Sequence, residues 1–179
     1  MTTTPGAPAA ELARLQAAGT ATEAFALYDA LPAVQVADIL GDWRGEGLDT
    51  GHPMDGLLEL YGWHGKRFAS ANDVQPLVFD GPRGPYPVNP AAMPLGASMR
   101  LPRGLLTATA PLARRGLRLV RTSKPRARLR MMEHRGVVTA TMSYDALPIN
   151  DHFRRVDDAT LLGVMDLRDV PPFFFVLRR

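Results

Sequence analysis

The last third of the chain alternates apolar and polar residues in five consecutive runs. The runs are RARLRMMEH (126–134), VVTATMSYD (137–145), HFRRVDD (152–158), TLLGVMDLR (160–168) and PFFFVLRR (172–179). This alternation is typical of half-buried strands. Turn residues such as Arg135-Gly136 and Pro171-Pro172 separate the runs. Because the connections are short, we predict that the five strands pair antiparallel as a meander.

The first 40 residues have a different, helical pattern. Apolar residues recur at helical spacing in PAAELARLQAAGTATEAFALYDALP (8–32), with stops at Gly19 and Pro32 and a cap at Thr20 or Thr22. These features predict two short helices, and AVQVADILG predicts one further turn. From residue 41 onward, glycine, proline and alternating apolar residues favour strands and turns.

Together the patterns predict a mainly β fold. GDWRGEGL (41–48), LLELYGWHGKRFAS (57–70) and DVQPLVFD (73–80) add strands or strand–turn pieces, and 81–96 reads as a proline-rich loop. An antiparallel sheet of about 8–10 strands tends to close into a barrel, which removes its edges. We therefore expect one structural domain, in which residues 1–40 cap a barrel formed by 41–179. Such a barrel is filled by side chains or holds one small ligand.

The amino-acid composition excludes several classes of protein and of chemistry. Hydrophobic residues make up 46% of the 179 residues and charged residues 22%, as in ordinary globular chains. The chain has no cysteine, which excludes disulfides, thiolate catalysis and cysteine metal sites. Neither a secretory leader nor a membrane span is predicted, so we expect a cytoplasmic protein.

The positive charge is concentrated in one stretch. The net charge is +3, and 114–130 is rich in arginine, with Arg126, Arg128 and Arg130 alternating with apolar residues. This spacing predicts a solvated outer face of a sheet. A nucleic-acid surface usually adds exposed aromatic residues, and none interleaves here. We therefore expect no nucleic-acid partner, while an acidic lipid or ligand headgroup remains open.

Four polar residues are candidates for acid–base chemistry. Tyr144, Asp151 and His152 lie close together in YDALPINDHFRR, and Lys66 follows Trp63 in GWHGKRF. An Asp, His or Lys facing a cavity could move protons, and a Tyr could polarise a carbonyl. Because Asp151 and His152 are adjacent in a strand, only one of them can face inward. The alternatives are that Asp145 and Asp151 cap the turn, that His152 is a surface or lining residue, and that Lys66 extends to solvent.

The predicted cavity lining is apolar and aromatic. Its members are Trp63, His64, Phe68, Met142, Phe153, Met165 and Phe174. No metal site is predicted, because the four histidines are scattered and show no metal-ligand spacing. Phosphate-loop, dinucleotide and nucleophile-elbow motifs do not occur either.

The stretch GDWRGEG resembles the G-x-W signature of calycin-type barrels, such as lipocalins, fatty-acid-binding proteins and nitrobindins. The resemblance implies that Trp43 closes one barrel end and packs on an arginine of the last strand, here Arg178 or Arg179. It also implies that Gly41 and Gly45 let the chain approach closely. In nitrobindin-like proteins a histidine of the final strand carries haem. This chain has three phenylalanines there, so we predict no cofactor and disfavour haem.

A more specific resemblance is to a family named for its GXWXG motif. The motifs GDWRGEG, YGWHGKRF, PLVF, ATMSYDALPINDHFRRVDD and LGVMD…FFFVLRR occur in the family's order. They imply a GXWXG segment at about 25–82 and a second segment at about 117–179.

Three functions remain open from the sequence. The first is binding of an apolar small molecule, such as a lipid, isoprenoid or polyketide. The second is a cofactor-free isomerase or cyclase of secondary metabolism that uses the same cavity, and the third is a haem protein with an altered ligand. A monomer and a homodimer are both compatible with the sequence.

Overall fold

The computed structural model describes residues 6–93 and 100–179, and the fold over these residues is mainly β. The helices are α1 (Ala7–Ala17), α2 (Ala21–Ala30), α3 (Leu57–Leu60) and α4 (Arg103–Leu117). The strands are β1 (Gly41–Gly47), β2 (Trp63–Ser70), β3 (Asp73–Phe79), β4 (Tyr86–Pro87), β5 (Ala127–His134), β6 (Val137–Tyr144), β7 (Ile149–Asp157), β8 (Thr160–Leu167) and β9 (Phe173–Arg178). No helix in these two ranges is long and apolar enough to cross a membrane.

The predicted antiparallel barrel is confirmed. Eight strands close in the order β1–β2–β3–β5–β6–β7–β8–β9, and β9 returns to β1, while the short β4 pairs only with β3. Every pairing between the strands is antiparallel, and β5 to β9 form the expected meander. The narrowest contact is between β3 and β5, which share the single pair Val74 and Ala127. On β5, Arg128 and Arg130 are exposed, as the alternation predicts.

Two apolar layers stabilise the fold. The inner layer fills the barrel and includes Trp43, Phe68 and Phe153. The outer layer joins helices α1 and α2 to the outside of β8 and β9. There the ring of Phe25 packs edge-on against that of Phe174, with the ring centroids 4.8 Å apart. The helices therefore cover the outer wall rather than a barrel end. The segment 31–40 does reach the interior, because Val34 and Ile39 belong to the inner layer.

The N-terminal helices begin and end where their sequence signals lie. The Thr20 side chain accepts from the Glu23 amide and the Glu23 carboxylate accepts from the Thr20 amide, which forms a capping box for α2. The further turn predicted before Gly41 is a 3₁₀ turn at Val36–Ile39.

Helix α4 contradicts the sequence prediction, which extended strands and turns from residue 41 to the end. Its sequence contains Gly104, Pro111 and Gly116, all poor residues for a helix interior. Leu106 and Ala110 are buried on one side of α4, and this tertiary packing outweighs the weak local propensity. The predicted loop 81–96 contains β4 and a 3₁₀ turn at Pro90–Ala92, and its last residues lie outside the described ranges.

Trp43 lies in the barrel interior near the end where β1 begins and β9 ends. Its side chain is 1% exposed, and the indole Nε1 donates to the Ile39 carbonyl at 2.8 Å. The Arg179 guanidinium carbon lies 4.5 Å from the ring centroid. The expected contact with Arg178 is wrong, because Arg178 points outward to Gln16 and Glu46. Inward and outward side chains alternate along β9, which leaves the chain-terminal Arg179 to reach the indole.

The two glycines of the motif, Gly41 and Gly45, are required for different structural reasons. Gly41 has a φ of +124°, a conformation that glycine adopts at low cost. At Gly45 the indole of Trp63 occupies the space that a Cβ would need. The second glycine of the motif therefore makes room for the second tryptophan of the chain.

Candidate functional site

A lysine and an aspartate form an ion pair inside the barrel. The Lys66 Nζ donates to Asp151 Oδ2 at 2.8 Å and to the Pro76 carbonyl at 3.2 Å. Lys66 is 4% exposed and Asp151 is 1% exposed. The pair joins β2 to β7 across the interior, between residues 85 positions apart in the chain.

A β-bulge turns Lys66 inward. Regular alternation would place Trp63 and Lys66 on opposite faces of β2, yet both belong to the barrel interior. The register of β2 against β3 shifts on either side of Gly65, whose φ is +146°. A Cβ at Gly65 would overlap the Trp43 carbonyl oxygen. The extra residue at the bulge re-aims the strand, so the position of the ammonium depends on Gly65.

Aromatic rings surround the ammonium. The Lys66 Nζ lies 4.8 Å from the ring centroid of Phe175, 5.7 Å from that of Trp63 and 5.9 Å from that of Tyr144. Ring faces attract a cation at these distances, more strongly where water is excluded. We call Lys66, Asp151 and Tyr144 the polar centre of the barrel.

Burial changes the acid–base properties of the polar centre. It raises the pKa of Asp151 above the ordinary value, and the charge and hydrogen bond of Lys66 and the nearby Tyr144 phenol oppose the rise. Burial also raises the pKa of Tyr144 well above the ordinary value, and the charge of Asp151 adds to the effect. The phenol is therefore protonated at neutral pH. The buried Asp151 Oδ1 has no hydrogen bond of normal geometry within the described residues.

A small cavity adjoins the polar centre. Its volume is about 30 Å³, which is room for about one water molecule. It lies where β6 ends and β7 and β9 begin, away from the N-terminal end of β1 where Trp43 packs. The lining residues are Met54, Leu58, Trp63, Lys66, Leu77, Tyr144, Ile149, Asp151, Met165, Phe173 and Phe175.

The predicted lining residues have three different locations. Trp63 and Met165 line the cavity. Phe68, Met142 and Phe153 belong to the inner core but are not part of the cavity wall. Two placements are wrong: His64 bonds to Asp80 at 2.8 Å near the surface, and Phe174 packs under the helices.

Of the two neighbours Asp151 and His152, only Asp151 lies at the cavity, so His152 is misplaced as a candidate acid–base residue there. The two residues alternate along β7, so Asp151 faces the interior and His152 faces the outer layer. The alternatives also fail: among the described residues Asp151 bonds Lys66 and caps no turn, and His152 is 2% exposed and not part of the cavity wall. The His152 Nδ1 and the Thr141 hydroxyl are 2.8 Å apart.

His152 is part of a polar cluster outside the barrel. One ligand atom each from His134, His152 and Asp166 lies within 4.8 Å of the others. The two imidazoles stack at 3.9 Å with planes only 8° apart. In-plane lone pairs of parallel stacked rings do not converge on one point, so the present geometry is a stacked pair rather than a metal centre. The spacing of these residues in the sequence did not predict the cluster, because they come from three different strands.

The stacked pair predicts a loss of stability in acid. Burial, with His134 and Arg154 nearby, lowers the pKa of His152 to about 4, against 6.5 ordinarily. The unfolded chain therefore takes up a proton first, and stability falls as the pH drops from about 6.5 towards 4. The full loss is about 3 kcal/mol. Urea unfolding across this pH range measures it.

The matched variant is His152→Gln, which keeps a side chain able to bond Thr141. We expect its stability to depend less on pH over the same window. His134, whose pKa burial also lowers, accounts for the remaining slope in the same direction. An unchanged pH profile in this variant would contradict the assignment.

Six lining residues were not predicted from the sequence, and four of them come from the segment before β2 and the start of β9, while the other two are Leu77 on β3 and Ile149 on β7. Met54 and Leu58 come from the 48–62 connection, and Phe173 and Phe175 come from alternate positions of β9. The period-two pattern of β9 gave a signal for these phenylalanines, because it places Phe173 and Phe175 on the face opposite Phe174. No local pattern placed the 48–62 connection at the cavity.

The fold and the site define an antiparallel β-barrel protein with a charged pair enclosed in an aromatic interior. Residues 26–84 match the family described as GXWXG protein, and residues 125–179 match the domain of unknown function DUF4334. The chain therefore contains a GXWXG segment followed by this domain, close to the predicted bounds of 25–82 and 117–179.

One solved structure supports the fold independently. The crystal structure of a protein from Thermomonospora curvata shares 32% sequence identity with this chain and superposes with a TM-score of 0.69. The match covers 96% of this chain and 97% of that one. Among curated proteins, none matches the chain. The wider likeness to nitrobindins stays a prediction.

Proposed function

We propose that the barrel binds an apolar small molecule that carries one hydrogen-bond donor, and that the polar centre orients it. The observation that carries the proposal is the buried Asp151 Oδ1, which has no hydrogen bond of normal geometry among the described residues and lies beside a cavity with an apolar and aromatic wall. A buried carboxylate oxygen without a partner costs free energy. A ligand hydroxyl or N–H at this oxygen would recover that cost.

The wall suits the apolar part of such a ligand. Phe173, Phe175 and Trp63 offer ring faces, and Met165 offers a flexible thioether. Ligand pockets are usually mostly apolar with a few convergent polar groups, as here. Lipid-, isoprenoid- and polyketide-like molecules have this chemistry.

The size of the cavity limits how such a ligand enters. Drug-sized ligands occupy roughly 300–1,000 Å³, so anything larger than a few atoms must displace part of the wall. Met54 and Leu58 are the lining residues that no strand holds. The Asp55 carboxylate fixes their connection by accepting from the amides of Thr50, Gly51 and His52, each at 2.8 Å. We propose that this connection moves when a ligand binds.

A fluorescent probe tests binding. N-phenyl-1-naphthylamine is neutral and apolar and has one N–H. We expect a saturable rise in its fluorescence with the wild-type protein and loss of that rise in Leu58→Trp, whose indole would fill the cavity. Val138→Trp, on the exposed outer face of β6, is the matched control and should bind normally. Equal binding by both variants, or none by the wild type, would refute cavity binding.

An enzymatic role in the same cavity is the second candidate. The raised pKa of Asp151 and the protonated Tyr144 are the observations that favour it, because a raised pKa makes a carboxylate a better proton acceptor and a protonated phenol can donate a hydrogen bond to a carbonyl. A cofactor-free isomerase or cyclase would incorporate solvent deuterium into a molecule recovered from the barrel by native mass spectrometry. If Tyr144→Phe, Asp151→Asn and Lys66→Met all leave this incorporation unchanged, the acid–base role is wrong.

We propose that the barrel works without haem. Phe173 and Phe175, which face the interior on β9, have no atom that ligates iron. His52, whose ring centroid lies 5.4 Å from that of the lining residue Phe173, has both ring nitrogens engaged, with the Pro171 carbonyl and the Met54 amide. The residues around this cavity therefore do not fit a haem. Unchanged absorption after haem addition is the expected result.

A further inference from the structure

Helix α4 and the turn after it expose a row of leucines to solvent. Leu105 and Leu112 are seven residues apart, which is about two helical turns, so they lie along one side of α4, and Leu119 follows in the 3₁₀ turn at Arg118–Val120. Their exposed fractions are 49%, 72% and 89%. The opposite side of α4 is the one that packs on the barrel, through Leu106 and Ala110. The helix thus has a second apolar face without a partner in the chain as described.

Arginines lie beside the leucine row. Arg115 is exposed on α4 after Leu112, and Arg118 is exposed at the start of the following 3₁₀ turn. The surrounding sequence has an extreme charge bias, because residues 81–132 contain 11 of the chain's 21 basic residues and none of its 18 acidic residues. A helix with exposed leucines and neighbouring arginines has the composition of helices that lie in a lipid headgroup region.

We propose that α4 and the following turn dock this protein on an anionic lipid surface. Leucines would enter the acyl boundary, and arginines would contact the lipid phosphates. A second copy of the chain fits less well, since a symmetric contact would bring two arginine-rich faces together. Nucleic acid fits less well too, because it offers no apolar layer to cover the leucines. This inference does not depend on the proposed function.

Docking would bring the cavity close to the lipid. The Arg114 Nε donates to the Leu60 carbonyl at 2.9 Å, and Arg103 donates to the Asp55 carbonyl. Through these bonds α4 is attached to the connection that supplies Met54 and Leu58 to the cavity wall. A membrane-bound α4 would therefore hold this side of the barrel against the lipid surface. An apolar ligand could then pass from the lipid to the cavity.

Vesicle co-sedimentation of the full chain tests the proposal. We expect binding to vesicles of phosphatidylcholine mixed with phosphatidylglycerol, weaker binding as salt increases, and little binding to pure phosphatidylcholine. Leu105→Gln/Leu112→Gln and Arg115→Glu/Arg118→Glu should each reduce the partition coefficient at least about tenfold. All four positions are exposed, so the variants should keep the wild-type melting temperature.

Two matched controls accompany these variants. Val138→Gln removes an exposed apolar residue on β6, and Arg115→Lys/Arg118→Lys keeps the charge; both should bind vesicles like the wild type. Absence of binding to anionic vesicles at low salt would overturn the proposal, as would equal binding by the leucine variant. A dimer in sedimentation velocity that disappears in Leu105→Gln/Leu112→Gln would overturn it in favour of contact between copies.

Discussion

Replacing Lys66 by methionine is expected to lower the free energy of unfolding by about 3–5 kcal/mol. The variant leaves the Asp151 carboxylate buried with neither its cation nor its hydrogen bond at 2.8 Å. The two charges are already desolvated, so losing one partner costs far more than losing an exposed ion pair. Chemical denaturation at neutral pH measures the change.

The double variant Lys66→Met/Asp151→Leu is the control. It removes both charges, and we expect it to be clearly more stable than Lys66→Met because no uncompensated carboxylate remains. Acid should also reduce the deficit of Lys66→Met relative to the wild type. Without the ammonium, the pKa of Asp151 rises further above its value in the unfolded chain. As the pH falls, the folded carboxylate takes up a proton, and the free-energy cost of burying its charge disappears. A double variant as unstable as the single one would assign the loss to packing.

The second large effect is expected at the other end of the barrel. Trp43→Ala should cost about 3–5 kcal/mol, because the indole is 1% exposed and its removal leaves a cavity in the inner core. The variant also loses the Nε1 bond to Ile39 and the contact with Arg179. Thermal or urea unfolding measures the loss.

Trp43→Phe separates packing from the polar contacts. It keeps an aromatic ring but no N–H, so we expect a smaller loss than for alanine. Probe binding should weaken in Trp43→Ala only in proportion to the unfolded fraction, since Trp43 does not line the cavity. A fully stable Trp43→Ala protein with lost binding would instead place Trp43 in the site.

The polar centre joins two regions that the sequence could only treat separately. Lys66 and Asp151 each emerged as candidates from local neighbours, and Tyr144 from its place beside the turn before β7. Their meeting depends on β2 and β7 facing each other across a closed barrel. Asp151 and His152 show the same limit: alternation required opposite faces, but only the closed barrel decided that the aspartate is inside.

Helix α4 shows where local signals misled. Gly104, Pro111 and Gly116 all argue against a helix, and the burial of Leu106 and Ala110 against the barrel reverses the balance. The leucine row was missed for the same reason, because its seven-residue spacing indicates a common side only if the segment is a helix.

By itself, the sequence determined the antiparallel meander, the two N-terminal helices and closure into a barrel. These depend on period-two alternation, caps and turn residues, which act over a few positions. Only the tertiary structure decided which charged groups are enclosed. A single bulge at Gly65 aims Lys66 inward, and barrel closure brings it to Asp151 from 85 positions away. Neither event leaves a periodic trace, because each results from the packing of distant strands.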